Sequence, residues 1–386
     1  MRPPLIVLLA ATTLANTCSI GAFPSLLPEI ARETALPDWQ LGIFAGAFGF
    51  ARMLADLPAG LFIARRLAAA LVVGQIALAL GALVIAAADS FPTLFAGRAL
   101  MGVGHALSML GGLTAILHAY AARRLSVALN AVEFTAMIGL LGGAAMVALL
   151  PRDLPWKTVL LIACVPQVIA LALLAFVVAA LPRAGVVRGA PAVAPTGALT
   201  AGGGSLVPLA FIAGAAVAVA YASVEQLVIP VRGSREFGLD RAGIARLFML
   251  MQACDIVALI PLGLLSDRIG AVRVVAGVAI AMGVASVLIA FTPFTGVVVG
   301  AALFGVAMAG WMLPLSVVRR ETPPARIAWR TALYRVGVDA GIFVGPFLGG
   351  LVANRHLAVV AVALVVVGVM LARAGGVRRP ALEPVQ

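Results

Sequence analysis

The chain has 386 residues, 63% of them hydrophobic and only 11% charged, with a formal net charge of +12. A soluble domain carries about 25% charged residues and under half apolar ones, so a mean hydropathy of +1.13 indicates a polytopic membrane protein. Apolar runs of about twenty residues suit helices across a core of about 30 Å and exclude a barrel, whose strands are half as long and alternate in polarity. The arginines fall in alternate loops rather than in one patch, which argues against a nucleic-acid partner.

Twelve helices are predicted in chain order. The first, 5–27, holds Asn16 and Thr17. It follows Met1-Arg2 without a small-residue cleavage site, so it reads as a span and not as a cleaved signal. The second, 39–63, carries Arg52 and Asp56, four apart and therefore on one face. After the third, 68–88, the fourth at 92–119 contains Arg98 and His105. The fifth, 126–149, holds Glu133, and the sixth runs 157–181. Residues 183–204 are rich in proline and glycine and read as a linker. The seventh helix, 206–229, carries Glu225 and Gln226, and the eighth, 241–265, carries Asp255. The ninth, 271–291, precedes the tenth, 296–317, with Trp311. The eleventh, 328–352, holds Arg335 and Asp339, again four apart, and the twelfth is 356–373.

The fold expected is therefore all-α and polytopic, with twelve transmembrane helices in two pseudo-symmetric six-helix bundles. Residues 1–182 form the first bundle, 183–204 the linker and 205–386 the second. Pro58-Ala59-Gly60 ends the second helix and Pro261-Leu262-Gly263 the eighth, the same place in each half. Such a repeat suggests a transporter with its site between the halves. Arg65-Arg66, Arg123-Arg124, Arg268 and Arg319-Arg320 share one side, while Glu29, Glu33, Asp38, Asp89, Asp153, Glu236 and Asp240 lie on the other. The arginine side is expected to be cytoplasmic, with both termini there, in a bacterial inner membrane.

Three motifs carry a family resemblance. Residues 263–273, Gly-Leu-Leu-Ser-Asp-Arg-Ile-Gly-Ala-Val-Arg, have the form G-x-x-x-D-R-x-G-x-x-R. Residues 98–104 read R-x-x-x-G-x-G, and 341–350 read G-x-x-x-G-P-x-x-G-G. Over essentially its whole length the chain resembles the major facilitator superfamily, and 341–350 are similar to a pattern of its drug–proton antiporters. Two departures stand out. The second-helix copy of the loop motif has Ala64 where the aspartate belongs, and the antiporter pattern lies in the eleventh helix rather than the fifth.

The resemblance implies roles for the intramembrane charges. It sets the second and eleventh helices side by side, where antiparallel packing pairs Arg52 with Asp339 and Asp56 with Arg335 as an interdomain gate; the alternative is a static pair within each helix. Arg98 resembles an arginine tied to proton coupling, and Asp255 and then Glu133 are the candidate proton carriers. A carboxyl in an apolar span with no opposite charge within a turn can take up and release a proton. Gly263, Asp267, Arg268 and Gly270 belong to the cytoplasmic loop motif, with Asp267 expected to cap a helix end as a latch. Asn16, Thr17, Arg98, Glu225, Gln226 and Trp311 are the substrate-cavity candidates, with Glu225 close to the outer end of its helix.

The function expected is secondary transport by rocker-switch alternating access: proton-coupled efflux of an amphipathic small molecule, by a functional monomer whose other partner is the lipid bilayer. Import of a small organic anion through Arg52 or Arg98 is the alternative, and a non-transporting sensor or scaffold is the alternative of another class. No cofactor is implied beyond protons. No metal site is expected, since Cys18, Cys164 and Cys254 lack ligand spacing, and no catalytic motif marks an enzyme.

Overall fold

A computed structural model describes residues 5–119, 122–181, 206–323 and 326–377. The linker at 183–204, with Arg183 and Arg188, lies outside these residues. Every regular element among them is helical. The first half comprises α1 (Leu5–Glu33), α2 (Asp38–Ala86), α3 (Phe91–Ala119), α4 (Ala122–Leu149) and α5 (Trp156–Ala180). The second comprises α6 (Leu206–Ser223), α7 (Ile229–Arg235), α8 (Arg241–Ile269), α9 (Ala271–Phe291), α10 (Phe294–Met308), α11 (Leu313–Arg320), α12 (Ile327–Val352) and α13 (Arg355–Val377).

Eleven helical runs among the described residues are long and apolar enough to cross a membrane. One of them, α2, has 49 residues and at 1.5 Å per residue extends about 74 Å, enough for two crossings. It turns at Arg66, whose φ of −145° and ψ of 60° are not helical. The second and third predicted helices are thus fused through a one-residue turn. Twelve crossings result, in two six-helix bundles.

Two other helices depart from the regular runs expected. Between α6 and α7 lies a π segment, Val224–Val228. Pro230 has no N–H for the carbonyl of Gln226 four residues back, and its ring crowds that carbonyl. The Ile229 N–H instead reaches back to the Val224 carbonyl, and the wider turn re-aims Glu225 and Gln226. The tenth crossing is broken between α10 and α11, where Pro314 opens the second piece. Asp240 caps α8, accepting from the Gly243 N–H at 2.8 Å, and Gly270 ends it with a φ of 93°.

Within the first half, α2 packs on α3, and α1 on α4 and α5; within the second, α9 packs on α13 and α10, and α6 on α12. The halves meet along two seams, α2 with α12 and α4 with α8. Glycine makes the closest approaches. A Cβ at Gly143 would stand 1.9 Å from the Cys18 carbonyl oxygen, so α4 touches the α1 backbone directly. Gly143→Val should therefore push α1 and α4 apart at a cost of about 1–3 kcal/mol, seen as a lower unfolding midpoint in detergent. An unchanged midpoint would mean that the two helices separate freely.

Candidate functional site

The α2·α12 seam is closed at one end and open at the other. A Cβ on Gly42 would fall 2.5 Å from the Pro346 carbonyl oxygen, and Gly46 and Gly49 approach Phe343 and Ile342 as closely. Farther along, Gly60 and Gly337 face open space, and Leu57 and Leu61 are exposed. The intramembrane charges lie where the seam parts. Arg52 Nη2 stands 2.9 Å from Asp339 Oδ1, and Arg335 Nε 3.4 Å from Asp56 Oδ2. Both pairs cross between the halves; neither is an intrahelical pair. Asp339 is 1% exposed and lies beside Asp56, so the four groups form one cluster.

Arg98 is 1% exposed. Its guanidinium carbon sits 3.5 Å from the centre of the Phe23 ring and 5.0 Å from that of Phe48. Its Nη2 donates to Gln226 Oε1 at 2.9 Å, a bond from the first half to the π segment of the second. Its Nε and Nη1 have no hydrogen-bond partner. Phe48 also meets His105 at 5.3 Å and Arg52 at 5.7 Å. The two arginines and the histidine therefore converge on one ring.

The α4·α8 seam holds acids instead of ion pairs. A small cavity of about 20 Å³ lies there, lined by Gly21, Leu140, Ala144, Glu225, Phe248, Met251 and Gln252. Glu225 is half-buried in this wall, not at an outer rim, because the π turn faces it inward. Asp255 is 6% exposed and accepts from Gln252 Nε2 at 3.2 Å; its Oδ1 is buried without a partner. Glu133 on α4 and Glu225 on the π segment both lie within electrostatic reach of Asp255. Near these seams three arginines (Arg52, Arg98, Arg335) stand against five carboxyls (Asp56, Asp339, Glu225, Asp255, Glu133).

The closed end is bolted by pairs that sequence reasoning missed. Arg241, at the start of α8, contacts Glu29 at 2.9 Å and donates to the carbonyls of Leu154 and Pro151 at 2.7 and 2.5 Å. Arg235 holds Asp38 through two hydrogen bonds of 2.6 and 3.0 Å, and Arg152 lies 2.8 Å from Asp240. All three link the halves. The usable signal was an excess of arginine on the acidic side, where the topology rule does not ask for it.

The remaining candidates scatter. Thr17 bonds back to the carbonyls of Thr13 and Leu14 and packs on Gly139 of α4, so its hydroxyl does not reach into a cavity. Asn16 is buried with Oδ1 unpartnered. Trp311 sits in the break between α10 and α11, packed against two apolar clusters. In the loop motif Gly263 faces open space. Asp267 lies inside the last turn of α8 rather than capping an end, and α9 begins at Gly270 without a side-chain cap. Arg268 occupies the same turn. Among the described residues no cluster of three or more potential metal ligands occurs.

A profile described as Major Facilitator Superfamily matches residues 9–228 and again 206–385. No curated protein sequence matches significantly. Among solved structures, a mutant of the nucleoside transporter NupG is 15% identical with a TM-score of 0.74, covering 97% of this chain and 99% of its own. The peptide transporter POT in complex with sulfate is 12% identical with a TM-score of 0.79, covering 97% and 94%. A POT family transporter in complex with 5-aminolevulinic acid is 10% identical with a TM-score of 0.74, covering 96% of each chain.

Proposed function

The chain belongs to the Major Facilitator Superfamily, as a secondary transporter of the multi-pass membrane type, and we propose that it exports a small amphipathic compound in exchange for protons. Rocker-switch movement of residues 1–182 against 205–386, joined in sequence by 183–204, alternates access to the space between them. The protein works as a monomer in a bacterial inner membrane, with both termini in the cytoplasm. By the arginine rule the open end, with Arg65 and Arg268, is the cytoplasmic one, so this conformation faces inward.

The observation that carries the reading is the charge imbalance between the halves. Arg52 and Arg335 are each answered by an aspartate, and Arg98 by Gln226 and an aromatic stack. Asp255 and Glu133 have no cation assigned to them. Charged groups at this depth are costly unless paired or neutralised, and a proton is the simplest neutraliser. Alternation would carry that proton from one side to the other. Efflux as the direction draws on the antiporter-like pattern at 341–350. The reading as an anion importer loses ground at Arg52, which Asp339 already neutralises; Arg98 is tied to Gln226 through Nη2 alone.

The test is flux in reconstituted vesicles whose interior is acid and whose outer face is the cytoplasmic one. At least one member of a panel of amphipathic dyes should accumulate, and a protonophore should stop it. Asp255→Asn should lower gradient-driven accumulation at least tenfold. Accumulation that persists after the gradient collapses, or no flux from folded protein across the panel, would reject the proposal.

A further inference from the structure

We propose that a cavity at the closed end binds a small organic anion of single charge, such as a carboxylate, and that an occupied cavity holds this end shut. The site is separate from the space between the halves, and it adds a brake to the transporter proposed above.

The cavity has a volume of about 310 Å³. Glu29, Arg32 and Glu33 at the end of α1 form one wall. Arg152 in the α4–α5 connection and Trp156 at the start of α5 form a second, and Arg241 at the start of α8 a third. The first two walls belong to the first half of the chain and the third to the second half. Internal bonds fix the walls. Trp156, 2% exposed, donates from Nε1 to Glu33 Oε2 at 2.7 Å. Arg241 is held by Glu29 and by the carbonyls of Leu154 and Pro151, and its buried Nε has no hydrogen-bond partner.

Charge selects the ligand. Three guanidiniums against two carboxylates leave the lining with one net positive charge. Arg241 is answered by Glu29, and Arg152 by Asp240 through its Nε. Arg32 has no hydrogen-bond or ion-pair partner among the described residues. Topology does not ask for arginine on this acidic side, so an unanswered guanidinium in a concavity needs another reason. A carboxylate is the planar acceptor that a guanidinium engages through two parallel N–H bonds. Arg32 supplies that fork, and Arg152 adds the donors of Nη1 and Nη2. Glu29 and Glu33 limit the ligand's charge, because a second anionic group would meet like charges. Leu154 and Pro155 complete the lining and suit a short apolar body.

The brake follows from the origin of the walls. When this end opens, Arg241 leaves with its half, and the cavity loses a wall. A ligand that binds only the closed arrangement stabilises it by mass action; at one hundred times its Kd the ratio of closed to open rises about 100-fold.

Purified protein in phosphatidylcholine nanodiscs can be titrated calorimetrically with 3-phenylpropionate, 2-phenylethanesulfonate, phenylsuccinate and 2-phenylethylammonium. The two monoanions should bind and compete, the dianion should bind at least tenfold more weakly, and the ammonium should give no measurable heat. Arg32→Gln should weaken monoanion binding at least tenfold, and Glu33→Gln should bring the dianion level with the monoanions. Nanodiscs containing phosphatidylglycerol separate a free anion from a lipid headgroup. A loss of 3-phenylpropionate affinity of tenfold or more there would assign the cavity to the headgroup and overturn the proposal. In the dye-accumulating vesicles described above the cavity opens to the lumen. Lumenal 2-phenylethanesulfonate, which stays charged and does not cross the bilayer, should slow accumulation at least threefold in the parent but not in Arg32→Gln. The same compound outside should have no effect. Equal binding of the dianion or the ammonium, absence of monoanion binding, unaltered affinity in folded Arg32→Gln, or no slowing from the lumen would overturn the proposal. Monoanion binding without any dye flux would sink the transporter reading alone; dye flux without monoanion binding would sink this inference alone.

Discussion

Arg52→Leu should cripple the protein, and the exchanged pair Arg52→Asp with Asp339→Arg should recover much of the loss. The ion pair is 2.9 Å long, with side chains 12% and 1% exposed. Removing one member of a buried pair leaves an uncompensated charge, at a cost of about 3–5 kcal/mol. That corresponds to a fall of about two to three and a half decades in the folded or the transport-competent population. The companion pair, Asp56 with Arg335, is longer at 3.4 Å and more accessible at 8% and 23%, so its coupling should be nearer 1 kcal/mol. Double-mutant cycles on unfolding in mixed micelles and on flux measure both. Additive losses in both cycles would show that the pairs are not a gate, because a gate requires the partners to sense one another across the halves.

Arg241→Met should open the closed end. The arginine is 1% exposed and supplies Glu29 and two carbonyls with donors. Truncating such a buried, hydrogen-bonded charge costs about 2–5 kcal/mol. Here that cost falls on the closed conformation alone, since the bonded groups come from opposite halves. A shift of about 3 kcal/mol changes the ratio of closed to open by roughly 150-fold. Spin labels at Asp153 and Glu236, both exposed at this end, report the change as a longer distance. A distance distribution unchanged from the parent would mean that Arg235 with Asp38, and Arg152 with Asp240, hold the end without it. Those two pairs are largely exposed and worth about 0–1 kcal/mol each, so Arg241 should dominate.

Much of the architecture was legible because a bilayer leaves a chain few choices. An apolar run of about twenty residues must be a helix, and a charge within it must find a partner. The R-x-x-x-D spacing shared by residues 52–56 and 335–339 therefore carried real information about which groups meet. Three features were not legible. The fusion of the second and third crossings depends on a single residue, Arg66, adopting a non-helical conformation, which composition does not encode. The inward facing of Glu225 depends on a π turn set by Pro230; a regular helical register points it elsewhere. The bolts at Glu29, Asp38 and Asp240 depend on which loops from opposite halves meet, and loop acids look alike in one dimension. Thr17 marks a further limit. Its place in a helix expected to line the cavity suggested a contact, yet close packing on Gly139 uses that face.

The glycine-lined part of the α2·α12 seam has an electrical meaning. Gly42, Gly46 and Gly49 bring two helices together backbone to backbone, and backbone amides in a helix already have their bonds filled. Such a joint offers no hydroxyl, carboxyl or imidazole, and no room for water, along which a proton could hop. Conduction needs a relay, and the seam withholds one from the mouth of the protein down to Arg52. A carrier driven by a proton gradient fails most simply by short circuit. In the proton exchange proposed above, the small residues at this joint would keep the closed side insulating while the charged groups below it take up and release protons.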